Sequence, residues 1–183
     1  EWSNLTGLGY LKELRFEYGT AADANQVDAA LAADPAIRAV LVTHNETSTG
    51  VTNDMAAISK VVKESDKLLI VDSISGISSL PFRTDEWGCD IVMSGSQKGY
   101  MVPPGLAFVS VSQKAWDASK EAKMPRFYWD FSRAKSYLER GQTPWTPAIS
   151  IFYGLDVALE KMLEEGMENI FERHARIAQK TRN

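Results

Sequence analysis

A chain of 183 residues that is 44% apolar and 10% aromatic carries enough apolar material for one substantial core and too much for a disordered polymer. Its formal charge of −4 and pI near 5.3, with the basic residues scattered, present no positive field to nucleic acid or an anionic membrane. A single cysteine excludes an internal disulfide and a cysteine-based metal cluster, no apolar stretch approaches bilayer-spanning length, and Glu1-Trp2-Ser3-Asn4 lacks the basic and apolar regions of a secretory signal.

In chain order, the alanine-rich stretch from Asp23 to Ala33, with Val27 and Leu31 at helical spacing, predicts a helix that Asp34-Pro35 ends. Ile37 to Thr43 is a compact apolar run of strand type. Thr52-Asn53-Asp54 offers N-cap residues to a helix carrying Met55, Ile58, Val61 and Val62, and Leu68 to Asp72 forms the next strand. Phe82 to Gly88 reads as a connection, Ile91 to Met93 as a short strand and Leu106 to Val111 as another. Gln113 to Ala122 predicts a surface helix, and Met124 to Gln142 an irregular segment containing the run Phe127-Tyr128-Trp129-Asp130-Phe131. Ile151, Phe152, Leu155, Leu159, Met162 and Leu163 fall on one helical stripe; Gly166 interrupts it, and Met167, Ile170, Phe171, His174 and Ile177 form a second. Most of the strands are continuous apolar runs, which indicates an α/β fold with a mostly parallel sheet between helices.

In an open α/β sheet, ligands bind beyond the carboxyl ends of the strands, and three polar segments follow strands at such ends: Thr43 to Thr49, Asp72 to Gly76 and Ser94 to Lys98. Lys98 follows Asp90-Ile91-Val92-Met93 and precedes the apolar loop Tyr100-Met101-Val102-Pro103-Pro104-Gly105. Such a setting predicts a desolvated amine with a lowered pKa, suited to imine chemistry with a carbonyl. Asp72 closes the strand Leu68-Leu69-Ile70-Val71. Pyridoxal phosphate requires both groups: a lysine to hold it, and a carboxylate against its pyridine nitrogen to keep that nitrogen protonated.

The runs Thr43-His44-Asn45-Glu46-Thr47-Ser48-Thr49-Gly50, Val71-Asp72-Ser73, Ser94-Gly95-Ser96-Gln97-Lys98 and Thr143-Pro144-Trp145-Thr146-Pro147 resemble, in this order, the class V pyridoxal-phosphate aminotransferases of the alanine–glyoxylate and serine–glyoxylate (serine–pyruvate) group. The glutamine before Lys98 is similar to this group rather than to the related cysteine desulfurases, which usually carry histidine there. The resemblance implies the large, cofactor-binding domain of the aspartate aminotransferase superfamily (fold type I), incomplete over residues 1–183. The N-terminal phosphate loop would lie before residue 1, and the small domain with the substrate-carboxylate arginine beyond Asn183.

The resemblance also implies roles. Lys98 would carry the cofactor and move the proton between substrate Cα and cofactor C4′. Asp72 would partner the pyridine nitrogen, Ile74 would pack on the ring face, Thr47 would hydrogen-bond the cofactor, and Gln97 would bind its phosphate. Thr146 would reach across a homodimer interface to the phosphate of the other subunit. Expected substrates are an amino acid such as alanine or serine and glyoxylate or another 2-oxo acid. The expected location is the cytoplasm, or a peroxisome or mitochondrion if the source is eukaryotic. Cysteine desulfuration and a non-catalytic scaffold are the alternatives.

Other reactive side chains have plainer readings. Cys89 reads as a small buried residue beside a strand, His44 as a structural hydrogen-bonding residue and His174 as a satisfied core or interface histidine. Arg126, Arg133 and Arg140 read as surface or interface charges, and no spacing of ligands suits a metal.

Overall fold

The computed structural model describes residues 10–183, so the reading of Glu1 to Asn4 lies outside the described residues. The first helix, α1 (Ala24–Ala33), starts where the Asp23 side chain accepts the amide of Asn25, and it buries Val27 and Leu31. Strand β1 (Ala39–Thr43) follows, then α2 (Met55–Glu64), whose N-cap is Asp54, accepting from the amide of Ala57, and which buries Met55, Ile58, Ser59 and Val62. After β2 (Leu68–Asp72) an irregular connection leads to β3 (Ile91–Gly95) and β4 (Ala107–Val111). Helix α3 (Gln113–Lys120) is capped by Ser112, and α4 (Phe131–Leu138) by Asp130. Two long helices, α5 (Ile149–Glu165) and α6 (Met167–Arg182), meet at Gly166, whose φ of 83° breaks the helical path.

The irregular reading of Met124 to Gln142 is corrected by α4. No side chain of that helix is buried, so it lacks the apolar stripe that makes a helix visible in sequence. Its start was nonetheless written in Asp130, which accepts the amide of Ser132 at 2.9 Å.

The strands form one sheet in the order β1-β2-β3-β4, with β1, β2 and β3 parallel and β4 antiparallel to β3. Register places Val42, Val71 and Val92 in one row, and Val71 and Val92 join Val27, Leu31, Met55, Ile58, Val62, Leu69 and Cys89 in the main core beneath α1 and α2. A second, smaller core holds Val102, Leu155 and Ala158, with Tyr100, Leu106, Phe108 and Ile151 packed against it, and so docks α5 on β4. Residues of the opposite sheet face alternate with these, and there Leu41 and Val109 remain 46% and 42% exposed. Asp72 belongs to that same face, in the row Thr43, Asp72, Met93 and Val109.

Buried polar groups tie the strands together. Asp90 accepts the amide of Leu69 through Oδ2 at 2.9 Å and the Ser112 hydroxyl through Oδ1 at 2.6 Å, linking β2 to the start of α3. Asn53 accepts the amide of Ala22 at 2.7 Å and donates to the carbonyl of Thr43 at 2.7 Å, fixing the end of β1 to the entry into α1. Among the described residues no helix is long and apolar enough to cross a membrane.

Candidate active site

The carboxyl ends of β1 and β2 are parallel neighbours, so the loops that leave them emerge side by side. Between them lies an open cleft of about 250 Å³ lined by Thr43, Asn45, Glu46, Thr47, Asp72, Ile74, Ser75 and Lys98. The amine-bearing and carboxylate-bearing residues singled out in the sequence therefore border one cavity. Its volume lies just below the roughly 300–1,000 Å³ of small-molecule sites.

Asp72 is half-buried, and its Oδ1 accepts the amide of Ile74 at 3.0 Å. The turn that follows is wound tightly: the amides of Gly76 and Ile77 both donate to the carbonyl of Ser73, at 3.1 and 3.0 Å. Beneath this turn sits His44, only 2% exposed, with Nδ1 sharing a 2.9 Å hydrogen bond with the Ser73 hydroxyl and its ring 4.9 Å from that of Phe82. Burial pushes the His44 pKa down to about 4, so the ring is neutral at neutral pH. Gly76 is required here because a Cβ at that position would lie 2.2 Å from His44 Nδ1.

The Thr47 loop is held independently. The amide of Glu46 donates to the carbonyl of Val51 at 2.8 Å, and that of Gly50 to the carbonyl of Glu46 at 2.8 Å. The Glu46 carboxylate accepts the Ser48 amide and hydroxyl, which hold its pKa below the usual carboxylate range. Asn45 joins this loop to the Asp72 turn. Its side chain donates to the Ser75 hydroxyl at 3.0 Å and accepts from Thr52 at 2.9 Å, while the Ser75 hydroxyl donates to the Asn45 carbonyl at 2.7 Å.

Lys98 rides on the connection between β3 and β4. The Ser96 amide donates to the carbonyl of Leu106, the Ser96 hydroxyl donates to that of Pro103, and the Met101 amide donates to that of Lys98. Gly99 brings this loop against the Asp72 turn, since a Cβ there would meet the Ile77 carbonyl at 2.6 Å. The expected desolvation of Lys98 is corrected: its side chain is exposed. The apolar loop that was to cover it instead sends Val102 into the core with Leu155 and Ala158, and leaves Met101 59% exposed.

Gln97 and Thr146 do not line the cleft. Gln97 is exposed beside Lys98, and Thr146 is exposed just after Trp145. The segment leading to Thr146 is organised by aromatic packing: Tyr128 stacks on Trp145 at 5.1 Å, and the Arg133 guanidinium lies 4.8 Å from the Trp145 ring and 4.9 Å from that of Phe127. Arg133 thus has a packing role, and Arg140 lies 4.2 Å over Tyr137. Cys89 is buried, and burial, then the Asp90 charge, push its thiol up to about 11, so it is no thiolate at neutral pH. His174 is half-buried and bonded to the carbonyl of Ile170 at 2.8 Å.

Sequence reasoning assigned no site role to Asn45, Glu46 or Ser75. Their signal was position alone, since each follows within a few residues of a parallel strand's end.

Comparison with known proteins gives a consistent family. The model of the family described as aminotransferase class-V matches residues 9–183. A Synechococcus protein named soluble hydrogenase, small subunit, is 52% identical over 79% of this chain and 38% of its own length. The serine–glyoxylate aminotransferase of Methylorubrum extorquens is 42% identical over 91% of this chain and 44% of its own length. The crystal structure of pyridoxamine–pyruvate aminotransferase from Mesorhizobium loti superposes with a TM-score of 0.85 at 33% identity, covering 91% of this chain and 43% of that one. The chain thus spans less than half the length of these relatives.

Proposed function

The chain belongs to the class V aminotransferases, and from that premise we propose that it forms the cofactor-binding part of an enzyme transaminating between an amino acid, alanine or serine, and glyoxylate or another 2-oxo acid. The observation that carries the reading is that Lys98 and Asp72, on separate elements, border one cleft at the carboxyl end of a parallel sheet. The donor set suits pyridoxal phosphate: an amine, a carboxylate, a hydroxyl from Thr47 and an aliphatic face from Ile74 surround one space of small-ligand size.

When bound, the cofactor supplies an electron sink for the pair released at the substrate α-carbon. Asp72 would hold a proton at the ring nitrogen by accepting its hydrogen bond, and Ile74, two residues on, would supply apolar contact to the ring. Thr47 orients the ring through its hydroxyl. The Lys98 amine would hold the cofactor and, once the substrate amine has displaced it, would be free to take the proton from substrate Cα, a transfer over a short path that one flexible side chain can serve. Gln97 and Thr146 would supply neutral donors to the phosphate, Thr146 to that of a second subunit in a homodimer. The exposure of Thr146 supports that role, as does the exposure of Lys98 in this chain by itself, because both leave surfaces for another part of the protein to cover. The buried thiol of Cys89 speaks against a desulfurase in which it is the nucleophile.

The test is made on the full-length protein carrying these residues. It is expected to be yellow, with a visible absorbance band that borohydride bleaches while fixing the cofactor to the chain, and Lys98→Ala is expected to abolish that covalent attachment. Lys98→Arg is expected to keep the charge while lowering turnover by at least about 10²–10⁴-fold. A colourless wild-type protein, or a Lys98→Arg variant of wild-type turnover, refutes the proposal.

A further inference from the structure

We propose that His44 is a positioning residue for Asp72: its ring, seated under the Ser73–Gly76 turn and bonded to the Ser73 hydroxyl, fixes the direction of the Asp72 carboxylate. The inference rests on the reading of Asp72 as the partner of the cofactor ring nitrogen.

Three contacts converge on one imidazole. Nδ1 shares the 2.9 Å bond with the hydroxyl of Ser73, itself fully buried. Gly76 rests on the ring so closely that a Cβ would come within 2.2 Å of Nδ1 and 2.8 Å of Cε1. Phe82 closes the remaining side at 4.9 Å between centroids. The backbone of His44 is also engaged, its amide donating to the Asp72 carbonyl at 2.7 Å, while the Ser73 amide donates to that of Met93 at 3.0 Å. The main chain on both sides of the Asp72 side chain is thereby fastened to β1 and β3.

The carboxylate direction follows from this mounting. Asp72 Oδ1 accepts from the Ile74 amide, and Ile74 belongs to the turn that the ring supports from below. If the bond between Nδ1 and the Ser73 hydroxyl were lost, the turn would be free to shift, the Ile74 amide would move, and the carboxylate would swing with it. Oδ2 has no hydrogen-bond partner among the described residues and is free to accept a proton donor in the cleft. The ring's neutrality at neutral pH matters as well. An imidazolium here would compete with the cofactor for the carboxylate's charge, and the buried, neutral ring does not.

The experiment uses the full-length holoenzyme loaded with cofactor carrying nitrogen-15 in its ring. His44→Phe keeps the bulk and removes the nitrogen, His44→Asn restores a polar atom near Nδ1, and Ser73→Ala removes the partner. For each variant, and for the double variant of His44→Phe with Ser73→Ala, the ring-nitrogen resonance, kcat, KM and the urea unfolding midpoint are recorded. Expected is a protonated-type resonance in the wild type, an equal shift toward the unprotonated value in His44→Phe and Ser73→Ala, and no further shift in the double variant. His44→Asn is expected to recover most of the wild-type signal. Turnover should fall about 10- to 100-fold in the two single-loss variants, with a smaller change in KM. A His44→Phe enzyme with the wild-type nitrogen resonance and only a lowered unfolding midpoint overturns the inference. Should His44→Phe fail to fold, an unshifted Ser73→Ala does the same. A wild-type holoenzyme lacking the protonated-type signal overturns the reading of Asp72, and the inference with it.

Discussion

The packing of His44 ties a titration to stability. In the unfolded chain the imidazole takes up a proton near pH 6.5, whereas in the folded one it does so only near pH 4. Between those values the unfolded state binds more protons, so stability falls as pH drops through that window and levels off below it. The loss should reach up to about 3 kcal/mol, read as the difference in unfolding free energy between neutral and acid pH, and His44→Phe should flatten that slope. A wild-type profile no steeper than that of the variant would show that His44 is not the group titrating. Gly76 provides a second residue-scale prediction. Gly76→Ala forces a methyl against the ring and should cost about 1–3 kcal/mol, and combining it with His44→Ala, which vacates the space, should cost less than the sum of the two single changes. At this scale the sequence singled out Lys98 and Asp72 by their pairing at successive strand ends, and the fold brings both to one cleft. It concealed Asn45 and Ser75, whose work depends on a hydrogen bond between two loops that only the parallel pairing of β1 and β2 brings together.

Elements were legible in proportion to how much apolar surface they bury. Helix α2 shows Met55, Ile58 and Val62 at helical spacing and an acidic cap, and its observed range begins at Met55 as the pattern requires. Strand β2 was readable to the residue, Leu68 to Asp72, because its apolar run is bounded by polar residues. Helix α4 was missed because its length of eight residues buries nothing, and what shapes it is Asp130 at its start and Arg133 lying on the rings of Phe127 and Trp145. The cap of α2 can be tested directly. Asp54→Ala removes the acceptor of the Ala57 amide and should lower unfolding free energy by about 1 kcal/mol, while the same change at exposed Glu64, in the last turn of that helix, should alter it by less than about 0.5 kcal/mol. Equal effects at the two positions would remove Asp54 from the role of cap.

As a whole, the molecule protects one side of its sheet better than the other. The continuous apolar strands predicted a sheet between helices, and α1 and α2 supply the cover over Val71 and Val92, yet Leu41 and Val109 of the other face stay nearly half exposed. Tyr153, Leu163 and Phe127 add exposed apolar area elsewhere. Prepared by itself, the 183-residue chain should therefore bind a hydrophobic-surface dye and self-associate in a concentration-dependent way. Val109 lies on β4, an edge strand among the described residues, and Val109→Lys should reduce the association with little change in unfolding midpoint. A dye-free monomer at high concentration would count against an open face. The architecture was legible because most of the strands are continuous apolar runs, whereas the extent of cover depends on neighbours that no local pattern records.

Antiparallel β4 has one more consequence. Thr47 stands on the loop that leaves β1 and Asp72 closes β2, each followed by a long excursion before the chain returns to the sheet, but Lys98 sits in the connection of a hairpin, close to the end of β3 and moored by two adjoining strands. Proteolytic nicking in the exposed tract around Lys123 would sever the connection to Thr146 while leaving the amine on its perch. On the proposed assignment of Thr146, its hold on a cofactor phosphate would then slacken before the Lys98 loop was displaced.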